Sequence, residues 1–181
     1  MQLLKKDQYV SRASFCKSLH LGEGAVKTLI LHLKQVGLVD STKSGTYLTP
    51  KGDTFVTKIL DEIPIECTIT KNKILKSNHN HVILLRNYAG AIKTGMEQRD
   101  YAILYGATGV ITLIYSNGKF VFPNEGKEFF TDEIELKQEI IKKLEPQEKD
   151  VIIISTADDE FVAEVSAKNS ALCTIALHEH H

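Results

Sequence analysis

The chain has no tryptophan, only four prolines and only three cysteines in 181 residues. Cys16, Cys67 and Cys173 are widely spaced, odd in number and form no CxxC pair. Neither a disulfide framework nor a zinc site is signalled, and the three read as reduced core thiols of a cytoplasmic protein. Long apolar runs are also missing. The longest extend over a handful of residues, far short of the ~20 that a membrane helix needs, so no membrane partner is expected. The opening Met1-Gln2-Leu3-Leu4-Lys5-Lys6 is charged too soon for a signal peptide. Catalytic signatures are absent as well: no GxSxG, HExxH, Walker loop or GxGxxG occurs. Cys67 and Cys173 have no obvious base beside them. The expectation is a protein that is not an enzyme, with no cofactor and no metal.

What is present is a globular composition, 43% hydrophobic and 25% charged. The length allows one ordinary domain or two small ones. The net charge of -1 conceals an asymmetry: residues 1–60 carry nine Lys/Arg against four Asp/Glu, and residues 61–181 carry thirteen against nineteen. A basic front and an acidic back suit a module facing nucleic acid joined to one that does not. The terminal His178-Glu179-His180-His181 is read as the remnant of a purification tag, which leaves His20, His32, His79 and His81.

The helical pattern ends at Ile63-Pro64, because proline disfavours helix at the residue before it. The domains are therefore drawn as 1–63 and 64–177. In the first, Ser11 can cap a helix over residues 12–19 with Ala13, Phe15, Cys16 and Leu19 on its apolar side. His20-Leu21-Gly22 makes a turn. A helix over residues 23–36 follows, with Val26, Leu29, Ile30 and Leu33 at one-face spacing, and Gly37 stops it. Residues 38–49 form a hairpin about Lys43-Ser44-Gly45. Pro50-Lys51-Gly52 breaks it, and a helix from Asp53 places Phe55, Val56, Ile59, Leu60 and Ile63 on an apolar face. Residues 2–8 supply a short leading helix. Two helices joined by a short turn, with a hairpin behind, form a helix-turn-helix with a wing.

A groove-reading helix needs one anchored face and one face of short polar or cationic groups. Residues 23–36 supply both. Lys27, Thr28, Leu31 and Lys34 face away from Val26, Ile30 and Leu33, with Gln35 nearby. Thr28 can bond a base edge or phosphate, Leu31 can meet a thymine methyl, and the lysines can meet phosphate or guanine. Gly22 and Gly24 allow a close backbone approach. Arg12 opens the preceding helix, and Lys43 and Lys51 flank the wing. The expected DNA-contacting set is Arg12, Gly24, Lys27, Thr28, Leu31, Lys34, Lys43 and Lys51.

Ser11-Arg12-Ala13-Ser14-Phe15, Leu21-Gly22-Glu23-Gly24-Ala25-Val26-Lys27-Thr28, Leu33-Lys34-Gln35-Val36-Gly37-Leu38-Val39 and Leu48-Thr49-Pro50-Lys51-Gly52 carry a resemblance across residues 8–63. The segment resembles archaeal and bacterial winged-helix transcriptional regulators, in which Leu-Thr-x-x-Gly after the wing is typical. Those regulators often carry arginine where this chain has Lys27, and lysine keeps the charge without bidentate guanine reading.

In the back half, residues 82–86 read as a buried strand and residues 96–105 as a helix with Met96, Tyr101, Ile103 and Leu104 available for burial. Strands at 110–115 and 119–122 flank Ser116-Asn117-Gly118, a strong hairpin signal. Residues 131–144 form an amphipathic helix capped by Thr131, with Ile134, Ile140, Ile141 and Leu144 inside. Residues 151–154 form an apolar strand, and a helix runs from Asp158 to about Ala171. The fold class is α+β: an N-terminal winged helix-turn-helix followed by a small mixed α/β domain. Gly95-Met96-Glu97-Gln98-Arg99-Asp100 with Gly106-Ala107-Thr108-Gly109, and Asp150-Val151-Ile152-Ile153-Ile154-Ser155-Thr156-Ala157-Asp158-Asp159, resemble the uncharacterised C-terminal domain that follows this winged helix in archaeal regulators.

Two spots could hold a small-molecule effector: Glu97, Arg99 and Asp100 with Thr108, and the strand end Thr156 with Asp158. Against them stand blander readings, a solvated helix face and a capped helix start whose acids repel phosphate. His79-Asn80-His81 could pair two imidazoles on a strand face, but a polar loop fits better, within a stretch over residues 71–81 read as a hairpin or loop. The expected function is a sequence-specific DNA-binding regulator working on double-stranded DNA as a homodimer, with an effector in its C-terminal domain. The competing reading is a small-molecule-binding protein or enzyme whose winged helix docks other proteins.

Overall fold

The computed structural model describes residues 1–75 and 77–178. Its chain is mixed α/β, with seven α-helices and two antiparallel sheets among the described residues. It divides into two compact units, Met1–Asp61 and a second that begins at Glu62.

The first unit runs α1 (Gln2–Asp7), α2 (Arg12–Leu19), α3 (Glu23–Gln35), β1 (Val39–Thr42), β2 (Gly45–Leu48) and α4 (Pro50–Glu62), the last reaching the unit boundary. Ser11 is extended, and its hydroxyl accepts from the Ser14 N–H at 3.1 Å, which caps α2. His20, left-handed at φ 52°, ends it. Gly37, at φ 75°, turns the chain out of α3. Val10 and Thr46 exchange two backbone hydrogen bonds of 2.9 Å, so the segment between α1 and α2 adds a short third rung to the β1–β2 hairpin. Gly45 allows this: at φ 134°, a Cβ there would lie 2.8 Å from the Val10 carbonyl oxygen. Leu4, Val10, Phe15, Val26 and Val39 form the buried core.

The hairpin ends before residues 50–52 as expected, but the helix placed from Asp53 starts earlier. Residues 50–52 are the first turn of α4. Proline suits the first helical position, where no N–H is needed. The Thr49 hydroxyl accepts from the Gly52 N–H at 3.1 Å and donates to the Gly37 carbonyl at 2.6 Å. Gly52 is buried so closely beneath Leu38 that a Cβ would fall 1.8 Å from its carbonyl oxygen. Ala13 and Phe55, expected inside, are exposed. The short helices bury narrower stripes, centred on Phe15 and Val56.

The second unit contains β3 (Glu66–Ile69), β4 (His79–Leu85), α5 (Met96–Ile103), β5 (Gly109–Ser116), β6 (Lys119–Val121), α6 (Ile134–Leu144), β7 (Val151–Ala157) and α7 (Glu160–His178). The sheet order is β3-β4-β7-β5-β6, with every neighbouring pair antiparallel. β7, the most apolar strand, is central. Asn117 at φ 50° and Gly118 at φ 73° make the β5–β6 turn.

The two sheet faces differ. On one, Val82, Leu84, Leu113, Ile152 and Ile154 pack with Leu136, Ile140 and Leu144 of α6 and with Phe120 and Phe130. The other is covered by α7 and α5. Ala163, Ala167 and Ala171 let α7 lie close, and Ser166 bonds Ser155 of β7 at 2.7 Å. Between the helices, Gln98 donates to Thr174 at 3.1 Å and Ser170 donates to the Gln98 carbonyl at 2.8 Å.

That polar seam corrects the expectation for α5. Gln98 and Ala102 are buried, while Met96, Ile103 and Leu104 are exposed. The partner helix offers hydroxyls, so the glutamine is the side chain that matches. Thr131 does not cap α6. Its hydroxyl donates to the Glu128 carbonyl at 3.3 Å, the helix starts at Ile134, and Leu136 is buried where Ile134 was expected. α7 is longer than expected and includes His178; residues 179–181 lie outside the described residues. Asp159 caps it, accepting from the Val162 N–H at 3.0 Å. His79-Asn80-His81 is the start of β4 and no polar loop, and the hairpin reading of the stretch holds, since β3 and β4 pair antiparallel. A strand is favoured there because its backbone pairs with β3 and β7, buried His81 is held by Glu66, and the Asn80 Nδ2 donates to the Ile69 and Ser77 carbonyls, although the Asn80 Oδ1 finds no partner among the described residues.

Candidate functional site

In the first unit, α3 is held by Val26, which has no exposed surface, and by half-buried Leu29, Ile30 and Leu33. Gly24, Lys27, Thr28, Leu31 and Gln35 recur at three- and four-residue steps and are exposed, forming one stripe away from the core. Leu31 is 52% exposed.

The eight residues singled out in the sequence differ in what they have left to offer. Arg12, Lys27 and Lys43 are exposed and have no ion pair or hydrogen bond among the described residues. The other polar members are engaged. Lys34 Nζ lies 3.0 Å from Asp40 Oδ1. The Lys34 ammonium, followed by the Ser41 N–H, holds the Asp40 carboxyl below its ordinary value. Lys51 donates to the Val36 carbonyl at 2.8 Å, and the Thr28 hydroxyl to the Gly24 carbonyl at 3.1 Å. A Cβ at Gly24 would meet nothing within 4 Å, so no contact inside the unit requires glycine there. Lys17 was not anticipated. It sits on α2 five residues after Arg12, exposed and likewise unpaired among the described residues. Its place in a run of alternating polar residues gave no signal.

The six effector candidates do not converge. Arg99 and Asp100 are 3.8 Å apart with side chains 54% and 67% exposed, so the expected buried constellation does not form. Glu97 is exposed beside His178 at 3.9 Å. These three lie on the open face of α5. Thr108 and Thr156 do meet at a strand end. The Thr108 hydroxyl donates to the Thr156 carbonyl and the Thr156 hydroxyl to the Gly109 carbonyl, both at 3.1 Å. Asp158 is exposed just beyond. The crevice rule that motivated this spot concerns parallel sheets; here the neighbouring strands are antiparallel and the hydroxyls are bound to backbone.

A different polar cluster was missed. Glu66 of β3 accepts from His81 of β4 at 3.1 Å and lies 3.1 Å from Lys168 of α7, which also pairs with Glu164. Burial pushes the Glu66 carboxyl up, but the His81 hydrogen bond and Lys168 outweigh it and the net shift is downward. Burial likewise lowers Lys168, and its bonds to Glu164 and Glu66 raise it further. The visible signals were the i, i+4 pair Glu164/Lys168 and the alternation His79-Asn80-His81. Beside the cluster is a cavity of about 170 Å³ lined by Thr68, Thr70, His79, Asn80, His81 and Glu160, among others. Among the described residues, no group of three or more His, Cys, Asp or Glu could hold a metal ion, and no helix is long and apolar enough to cross a membrane.

The chain belongs to the family described as a domain of unknown function, DUF4443, which matches residues 76–175, inside the second unit. In fold the chain is similar to the hypothetical protein PH0730 from Pyrococcus horikoshii OT3. The two are 24% identical, with a TM-score of 0.72, over 97% of this chain and 89% of that one. No curated protein matches the chain.

Proposed function

We propose that the first unit is a winged helix-turn-helix that binds double-stranded DNA, and that the chain acts as a transcriptional regulator. The observation that carries this reading is the stripe on α3. It is polar, narrow, backed by a buried Val26, and flanked by Arg12 on α2 and Lys43 at the hairpin tip, all of whose charges are free among the described residues. A helix of that kind fits the major groove, while a basic hairpin tip fits the adjoining phosphates. Only Lys27 carries charge within the stripe, so phosphate contacts supply most of the affinity and Thr28, Leu31 and Gln35 supply the base reading. The chain works as a homodimer, because one such helix reads few base pairs. The second unit provides dimerisation and an effector site.

A second reading has its own observation. Leu21, Leu31 and Val36 are 41%, 52% and 53% exposed around α3. Together they favour docking of α3 onto another protein, with the second unit as the working part. Fluorescence anisotropy with DNA from the chain's own upstream region, against a scrambled duplex of equal length, separates the two. Tighter binding to the upstream DNA supports the regulator. Equal and weak binding to both duplexes at low salt removes it in favour of protein docking.

A further inference from the structure

We infer that the cavity between the β3–β4 connection and the first turn of α7 is a binding site for a small aliphatic ammonium compound. Its walls are Thr68 and Thr70 at the end of β3, His79 and His81 at the start of β4, and Glu160 and Ala163 on α7. The volume of about 170 Å³ corresponds to roughly six water molecules, so it takes a ligand of roughly five to ten non-hydrogen atoms.

The walls are rich in acceptors that the protein does not use. Asn80 also lines the cavity and is 2% exposed. Its Nδ2 donates to the carbonyls of Ile69 and Ser77, which fixes the orientation of the amide, and its Oδ1 is left buried with no partner among the described residues. A buried oxygen without a donor costs free energy until something supplies one. The side chains of Glu160 and His79 have no ion pair or hydrogen bond among the described residues either. A carboxylate, an amide oxygen and an imidazole nitrogen together suit the N–H donors of an ammonium group.

The acidic start of α7 selects against the opposite sign. Lys168, about two turns further along α7, is committed to Glu66 and Glu164, Lys71 is bonded to Asn78 and Lys143 to the Thr68 carbonyl at the wall, and no wall residue among the described residues is a lysine or arginine. Asp158 and Asp159 precede Glu160 at the helix start, so an anion drawn by the helix terminus would meet three carboxylates. A metal ion lacks a set of three ligands among the described residues.

The test is calorimetric titration of the full chain, near pH 8, with butylamine and 1,4-diaminobutane, and with butyrate as the anionic counterpart. Saturable binding of an amine and none of butyrate is expected. Glu160→Gln, at an exposed position that tolerates the change, weakens the amine by about tenfold or more. Thr70→Trp, at the exposed rim, abolishes it by filling the cavity. No saturation by either amine up to about 10 mM overturns the site, as does preference for butyrate or indifference to Glu160→Gln. The use of the site as an effector switch rests on the regulator reading, but the site does not. The titration contains no DNA, so amine binding without DNA binding keeps the site and removes the regulator, and DNA binding without amine binding does the reverse.

Discussion

The unit that begins at Glu62 buries several charges in internal networks, whereas the ion pairs of Met1–Asp61 lie at its surface. Both units also leave exposed cations unpaired among the described residues, Arg12, Lys17, Lys27 and Lys43 in the first and Lys73, Lys93, Lys127 and Lys142 in the second. In the second unit, Asp150 has no exposed surface and accepts from Arg86, from the Asn87 N–H at 2.9 Å and from the Gln147 N–H at 2.7 Å. Glu66, His81, Lys168 and Glu164 form a second internal set, and Glu128 with Lys137 a third at 2.6 Å. In the first unit, Lys5 pairs with Asp53 and Lys34 with Asp40, while Arg12, Lys17, Lys27 and Lys43 have no partner among the described residues. A charge satisfied inside the fold specifies that fold. An exposed cation left unpaired contributes little to stability and is available to an anionic partner. The buried networks of the second unit therefore hold its fold together, while the unpaired cations of both units add little to stability, and only those beside α3 flank a polar helix stripe.

The largest expected effect falls on the paired side. Asp150→Ala leaves Arg86 and two backbone N–H groups without their acceptor where β4 ends and β7 begins, and costs about 3–5 kcal/mol in urea unfolding. A loss under about 1 kcal/mol would mean that the network is ornamental. Next comes Gly52→Ala, which must displace the Leu38 backbone and costs about 1–3 kcal/mol. Its unfolding transition shifts for the first unit, and a probe confined to the second unit stays in place if the two melt independently.

A smaller effect sharpens the comparison directly. Asp40→Ala releases Lys34 into the unpaired group. The expected result is a rise in DNA affinity of roughly two- to fivefold with stability unchanged, because exposed pairs contribute little. Weaker DNA binding in that variant would show that Asp40 positions Lys34 and does not mask it. The smallest effect concerns pH. Glu66 is held below its ordinary value of 4.5, so its contribution is present above that pH and is lost as pH falls through the lowered value. Lys168 is raised above 10.5, so its contribution is present below that pH and is lost as pH rises through the raised value. Denaturation followed across pH should show a plateau between these limits, and Glu66→Gln should flatten the acid limb.

The sequence was legible where one local signal decided the matter. Ser11 at a helix start, Gly37 at a helix end and Asn117-Gly118 between apolar strands each act within a few residues, and each element forms as its signal implies. It was misleading where a distant partner decides. Gln98 is buried because Thr174 and Ser170 meet it across α7, which no spacing within α5 reveals. His79-Asn80-His81 is a strand because β3 and β7 pair with its backbone and Glu66 meets His81 across the sheet. Residues 50–52 end the hairpin as they look to, but that they are already helix depends on Thr49 capping them and Leu38 closing over Gly52. The α3 stripe could be read from its periodicity. That Lys34 and Lys51 are engaged with Asp40 and Val36 could not, since both contacts depend on how the hairpin and α4 return to α3.

The most direct test of DNA binding through the unpaired cations is the salt dependence of the full chain's affinity for duplex DNA, compared with that of the Lys27→Ala/Lys43→Ala double variant. Each phosphate contact removed should lower the slope of log K against log salt by about 0.9, so the double variant should lose about 1.8 with its fold and stability intact. An unchanged slope, or binding that ignores salt, would contradict the assignment and make the exposed α3 stripe a protein-docking surface.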